Sequence, residues 1–121
     1  MALLKLVALL LLICESLPAQ CPNPSWVIED DKVDGIIAVE GRPAERARVR
    51  LSSPIRSYSA ITDSEGRFLI PKVAVGGYVL SIKGWGKAHL DIKGWHRGGI
   101  NRPVLQFNST RGCLFLLQVS N

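Results

Sequence analysis

The sequence predicts an all-β domain, an antiparallel β-sandwich of seven to eight short strands. Three observations carry that reading. Apolar and polar residues alternate over short stretches, Gly, Pro, Asp and Ser fall between those stretches, and no segment after residue 20 combines a helical period with caps. Regular short strands with short turns argue for two packed sheets. The chain has 121 residues, enough for one ordinary domain, and 47% of them are apolar, enough for a core. A multi-domain enzyme and a large α/β barrel are excluded on size.

Residues 1–19 read as a secretory signal peptide. Lys5 supplies the positive start, and Leu6 to Ile13 is an apolar run of eight, far too short to span a bilayer. Leu17-Pro18-Ala19 closes the segment with a helix breaker and a small residue. The expectation is cleavage after Ala19 and a secreted or periplasmic protein with no stable membrane insertion. Cleavage removes Lys5 and Glu15 together, so the net charge of +5 is unchanged. Cys14 leaves with the signal. Cys21 and Cys113 stay, an even pair in an oxidising compartment, and a disulfide between them is expected. No CxxC and no His at ligand spacing accompanies them, so no metal is expected.

Residues 20–32 read as an extended lead-in, held by the Cys21 bridge and by packing of Trp26. The domain proper runs from 33 to 121. Strands are expected near 33–39, 46–52, 57–62, 67–70, 77–83, 88–93, 103–107 and 113–119. The clearest is Arg46-Ala47-Arg48-Val49-Arg50-Leu51, where three Arg alternate with apolar residues, giving one buried face and one basic, wet face. Phe68 and Ile70 repeat the pattern after a turn at Asp63-Ser64-Glu65-Gly66. Tyr78, Leu80 and Ile82 alternate with Val79, Ser81 and Lys83, and Ala88, Leu90 and Ile92 with His89, Asp91 and Lys93. Residues 94–102 read as the one long loop.

The stretch from Val33 to about Gly84 resembles the carboxypeptidase regulatory-like domain. The resemblance rests on Gly35, on Gly41-Arg42-Pro43 followed by Ala47, Val49 and Leu51, on Thr62-Asp63-Ser64-Glu65-Gly66-Arg67-Phe68, and on Val73, Gly76-Gly77-Tyr78 and Leu80. The family often has Pro before its G-x-Y, where this chain has Ala74-Val75, and the resemblance fades after Gly84. It implies a transthyretin-like, Greek-key β-sandwich. It also implies a non-catalytic role as a spacer, assembly module or binding accessory on exported proteins.

No catalytic constellation accompanies the fold. The two His, His89 and His96, lack the third ligand of a catalytic zinc. His89 and Asp91 share a strand face, but no Ser in a nucleophile-elbow context joins them. Glu29, Asp30, Asp31 and Asp34 lack the loop signature of a calcium site. No cofactor is implied, since no nucleotide-binding Gly-rich loop is present. Asn108-Ser109-Thr110 fits the N-glycosylation pattern, which has meaning only in a eukaryotic secretory pathway.

The remaining signal is an internal echo. Ile82-Lys83-Gly84-Trp85-Gly86-Lys87 is repeated as Ile92-Lys93-Gly94-Trp95-His96-Arg97. Exposed together, Trp85 and Trp95 form a stacking platform rimmed by Lys83, Lys87, Lys93 and Arg97, a surface suited to sugars and especially to acidic polymers. Buried, the two indoles cap the core. Nucleic acid is not expected as a partner, because export argues against it and the Arg46, Arg48, Arg50 stripe has no interleaved aromatics. The leading expectation is an exported, non-enzymatic module that binds an exported or cell-surface protein. The alternative is a small carbohydrate-binding module that takes a polysaccharide on the two Trp.

Overall fold

In the computed structural model, which describes residues 20–94 and 103–120, the alternating stretches form ten strands in two sheets around one hydrophobic core. The expected signal segment 1–19, and Trp95, His96 and Arg97 within the expected long loop, lie outside the described residues. The strands are β1 (Ser25–Ile28), β2 (Val33–Val39), β3 (Arg42–Pro43), β4 (Arg48–Ser52) and β5 (Ser57–Ile61). They continue with β6 (Arg67–Ile70), β7 (Gly76–Ile82), β8 (Gly86–Ile92), β9 (Val104–Thr110) and β10 (Cys113–Ser120). The first sheet has the order β1-β8-β7-β4-β5. The second has the order β10-β9-β2, with β3 and β6 each pairing to a different part of β2.

Period-two alternation buries one face of each sheet. Val49 and Leu51 of β4, Leu80 and Ile82 of β7, and Leu90 and Ile92 of β8 point into the core from the first sheet. Val33, Ile37, Phe68, Leu105, Phe107 and Leu114 meet them from the second. Two hairpins turn through Glu40-Gly41 and Arg111-Gly112. Both residues of each pair have positive φ, 50° and 79° in the first and 54° and 76° in the second. That is the two-residue primed turn whose twist suits a hairpin, and glycine takes its second position without strain.

Three sequence expectations are corrected. The sheets are mixed, not purely antiparallel: β1 runs parallel to β8, and β2 parallel to β9. A period of two is the same in either direction, so side-chain pattern cannot tell them apart. The β2 to β9 pairing is parallel because the chain leaves β2, passes through the first sheet and returns by a crossover. β1 lies beside β8, and a disulfide ties Cys21, which precedes β1, to Cys113 at the start of β10, with Cα atoms 5.1 Å apart. The strand count is ten, because the lead-in forms β1 and Arg42–Pro43 forms a short β3. Arg46 sits outside β4 with φ of 53°, so the strand starts at Arg48.

The residues that carry the family resemblance have local work to do. Phe68 lies directly over Gly35, where an added Cβ would come within 2.5 Å of the ring. A Cβ at Gly66 would run into the carbonyl of Ile37, and the Gly66 carbonyl accepts a hydrogen bond from the Ile37 N–H at 2.9 Å. The Asp63 carboxylate accepts from the N–H groups of Glu65 and Arg67, both at 2.9 Å, which closes the β5–β6 turn.

Candidate interaction surface

The core is partly open along one side, where β1 is the edge of the first sheet and β10 the edge of the second. Register fixes which side chains look inward there. Trp26 and Ile28 stand opposite buried Leu90 and Ile92, while Leu116 and Val119 stand opposite buried Phe107 and Leu105. Ile28 is covered, but Trp26 keeps 42% of its surface exposed although it has inward parity. Leu116 and Val119 are half-buried against the core.

Between the two edges lies a cleft of about 580 Å³, lined by Trp26, Val27, Glu29, Pro103, Leu116, Leu117, Gln118 and Val119. The register of β10 against β9 shifts between Leu116 and Gln118, so Leu117 is an extra residue in the ladder, and it is 67% exposed. A bulge of this kind re-aims a side chain and is common at sheet edges. The Cys21–Cys113 disulfide joins the lead-in to the start of β10, so the two lips of the cleft are covalently tied at one end.

Four of the six residues of the sequence-predicted sugar platform, Lys83, Trp85, Lys87 and Lys93, lie within the described residues. Lys83-Gly84-Trp85 forms the turn between β7 and β8. Trp85 is half-buried against the core, and its carbonyl accepts the hydroxyl of buried Ser109 at 2.6 Å. Lys83 and Lys87 are exposed near this turn. Lys93 is at the far end of β8, where it pairs with Asp91 at 3.1 Å. Seven residues of strand separate the two ends by about 20 Å. Lys83-Gly84-Trp85 and Lys93 therefore sit at opposite ends of β8. Trp95 and Arg97 lie outside the described residues.

His89 is exposed on the outer face of β8, with its neighbour Asp91 engaged by Lys93. Among the described residues no group of three or more His, Cys, Asp or Glu is placed to hold a metal ion, and no helix is long and apolar enough to cross a membrane. Asp30 is buried and its carboxylate accepts the Asp31 N–H at 2.7 Å, a local turn within the acidic lead-in.

Two perturbed groups occur away from the cleft. The backbone N–H of Ala74 donates to the Tyr58 oxygen at 3.1 Å, and this favours the phenolate and holds Tyr58 below the ordinary tyrosine range. Burial of Tyr78 pushes its phenol above that range, and its O–H donates to the Ala74 carbonyl at 2.7 Å. The rings meet edge to face at 5.9 Å. These contacts anchor the β6–β7 loop.

Sequence reasoning missed the cleft. The available signal was Trp26-Val27-Ile28, three large β-forming residues in a segment read only as a lead-in. Comparison with known proteins returns no matching family model, no matching curated protein and no matching solved structure.

Proposed function

We propose that this chain is an exported, non-catalytic β-sandwich module of the carboxypeptidase regulatory-like, transthyretin-like and Greek-key class, and that its work is protein–protein interaction. The observation that carries the interaction reading is the apolar cleft between the β1 and β10 edges. Its occupant is an extended segment of an exported partner protein, laid alongside β10. That strand has eight residues and, among the described residues, a single neighbouring strand, which leaves one row of its backbone N–H and C=O groups without a strand partner there. An added strand would satisfy those groups, while Trp26, Leu117 and Val119 receive its alternate side chains. Large apolar side chains left half-covered beside an open sheet edge mark an interaction site more often than a random surface does.

Other observations support the rest of the reading. Two sheets share one core, and the resemblance motif occupies buried or turn positions in them. The Cys21–Cys113 disulfide suits an oxidising compartment. The exposure of His89 and the commitment of Asp91 to Lys93 favour a non-catalytic role. The sugar platform draws less support, because Trp85 is half-buried and Lys93 is at the far end of its strand.

The test is a selection of peptides from a random display library on the full chain, followed by hydrogen exchange of the complexes. Bound peptides should alternate apolar and polar residues, slow exchange of the β10 amides, and lose binding to Leu117→Asp. Peptides that bind Leu117→Asp equally well, or leave β10 exchange untouched, would refute the reading.

A further inference from the structure

The outer face of the first sheet is a different surface from the cleft, and it is basic. Cross-strand register places Lys87, Ser81, Arg50 and Ser59 in one row across β8, β7, β4 and β5. Arg48 lies two residues along β4 from Arg50, and Ser52 and Ser57 form the next pair on the other side. Neighbouring strands are about 4.8 Å apart, so Lys87 and Arg50 stand roughly 10 Å from each other, and Arg48 about 7 Å from Arg50. All three cationic side chains are exposed.

Among the described residues none of these three makes an ion pair. Among the described strand residues of the first sheet, Asp91 is the carboxylate that parity puts on this face, and it is held by Lys93. The Arg50 Nε donates to the Ser57 hydroxyl at 3.3 Å, which leaves the other guanidinium donors facing outward. Arg48, Arg50, Ser57, Tyr58 and Ser59 border a depression of about 200 Å³. Like charges close together on a sheet repel, and here no neighbouring carboxylate relieves them. A bound polyanion would.

We infer that this face binds an acidic polysaccharide, sulfated or uronic. Arg pairs bidentately with sulfate and carboxylate, and the interleaved serine hydroxyls match a polymer whose anionic groups alternate with sugar hydroxyls. Nucleic acid fits less well. Single strands need aromatic faces for base stacking; the outward side chains of the basic row include none, and Tyr58, which borders the depression, is packed against the core.

The experiment titrates the full chain, made in an oxidising compartment, with heparin, with neutral dextran and with duplex DNA of matched charge. The triple variant Arg48→Ala/Arg50→Ala/Lys87→Ala is compared with Arg42→Ala/Arg67→Ala/Lys72→Ala, which removes as many charges from elsewhere. Circular dichroism checks that both fold. Ser81→Glu, which puts a negative charge between Lys87 and Arg50, serves as an independent variant. Heparin binding should fall roughly tenfold or more in the face variant and in Ser81→Glu, fall much less in the control, and weaken with salt. Dextran should not bind. Absence of heparin binding, equal loss in face and control variants, or DNA binding as tight as heparin would each overturn the inference.

Discussion

Thr62 is buried just past the end of β5, and its hydroxyl serves two backbone groups at once. It accepts the Ala47 N–H at 2.8 Å and donates to the Ala44 carbonyl. Ala44 and Ala47 are themselves buried, so neither backbone group has water as an alternative partner at this position. The Thr62 backbone repeats the connection, with its N–H donating to the Ala47 carbonyl at 2.9 Å. This is why a threonine, and not a similarly shaped valine, begins the Thr62-Asp63 turn. Thr62→Val keeps the volume but strands a donor and an acceptor. It should cost about 2–3 kcal/mol in urea unfolding, whereas Thr62→Ser should retain most of the stability. A valine variant within about 0.5 kcal/mol of the parent would mean that the hydroxyl is not holding the β3–β4 connection.

Strands with one wet and one buried face are legible in sequence. Those over 67–70 and 77–83 alternate, are bounded by turn residues, and fall within a residue of where they are expected. The Arg48 and Arg50 stripe is legible for the same reason, since the inward parity of Val49 and Leu51 forces the charges outward. Direction and neighbours are not legible, because period two carries no sign. β1 is further disguised, because an edge strand over an open core shows no clean alternation and its partner β8 is distant in sequence. The cleft needs β1 and β10 to meet across two sheets, which no local pattern encodes. One contact between elements can be read optically, because Tyr58 of β5 and Tyr78 of β7 are the chain's only two tyrosines. Tyr78 has a raised pKa, so its contribution to stability is complete below pH of about 10, the unfolded value, and is lost as pH climbs through the higher native value. Tyr58 has a lowered pKa and the opposite sign, adding stability as pH rises from its native value to about 10. Absorbance titration of the folded chain should therefore show two separate phenol ionisations on either side of about pH 10. Tyr58→Phe should remove the earlier step and Tyr78→Phe the later one. A single step worth two protons would contradict the loop geometry around Ala74.

At the scale of the whole molecule the open side and the disulfide belong together. The Cys21–Cys113 bond spans 92 residues and ties the lead-in of one edge strand to the start of the other. Chain-entropy arguments give a loop of that length about 4–5 kcal/mol of stabilisation, reduced by residual structure in the unfolded chain. Beyond the bridge, β1 is attached chiefly through its parallel pairing to β8 and two flanking backbone bonds, His89 N–H to the Pro24 carbonyl and Lys93 N–H to the Ile28 carbonyl. Such a short, partly exposed edge strand has little burial of its own, with Ile28 its one covered apolar side chain. Reduction therefore acts twice, by releasing the loop constraint on the unfolded chain and by letting the Trp26 lip of the cleft detach. Cys21→Ser/Cys113→Ser should lose roughly 2–5 kcal/mol in denaturant unfolding. Its β1 amides should exchange well before those of β4 and β7, and Trp26 should become accessible to a quencher while the core strands stay protected. Cleft-directed peptides should then bind more weakly, whereas heparin binding to the first sheet's outer face should persist under conditions where the variant stays folded. A variant whose β1 exchanges no faster than the parent would show that packing of Ile28 and Trp26, and not the covalent tie, keeps the edge in place.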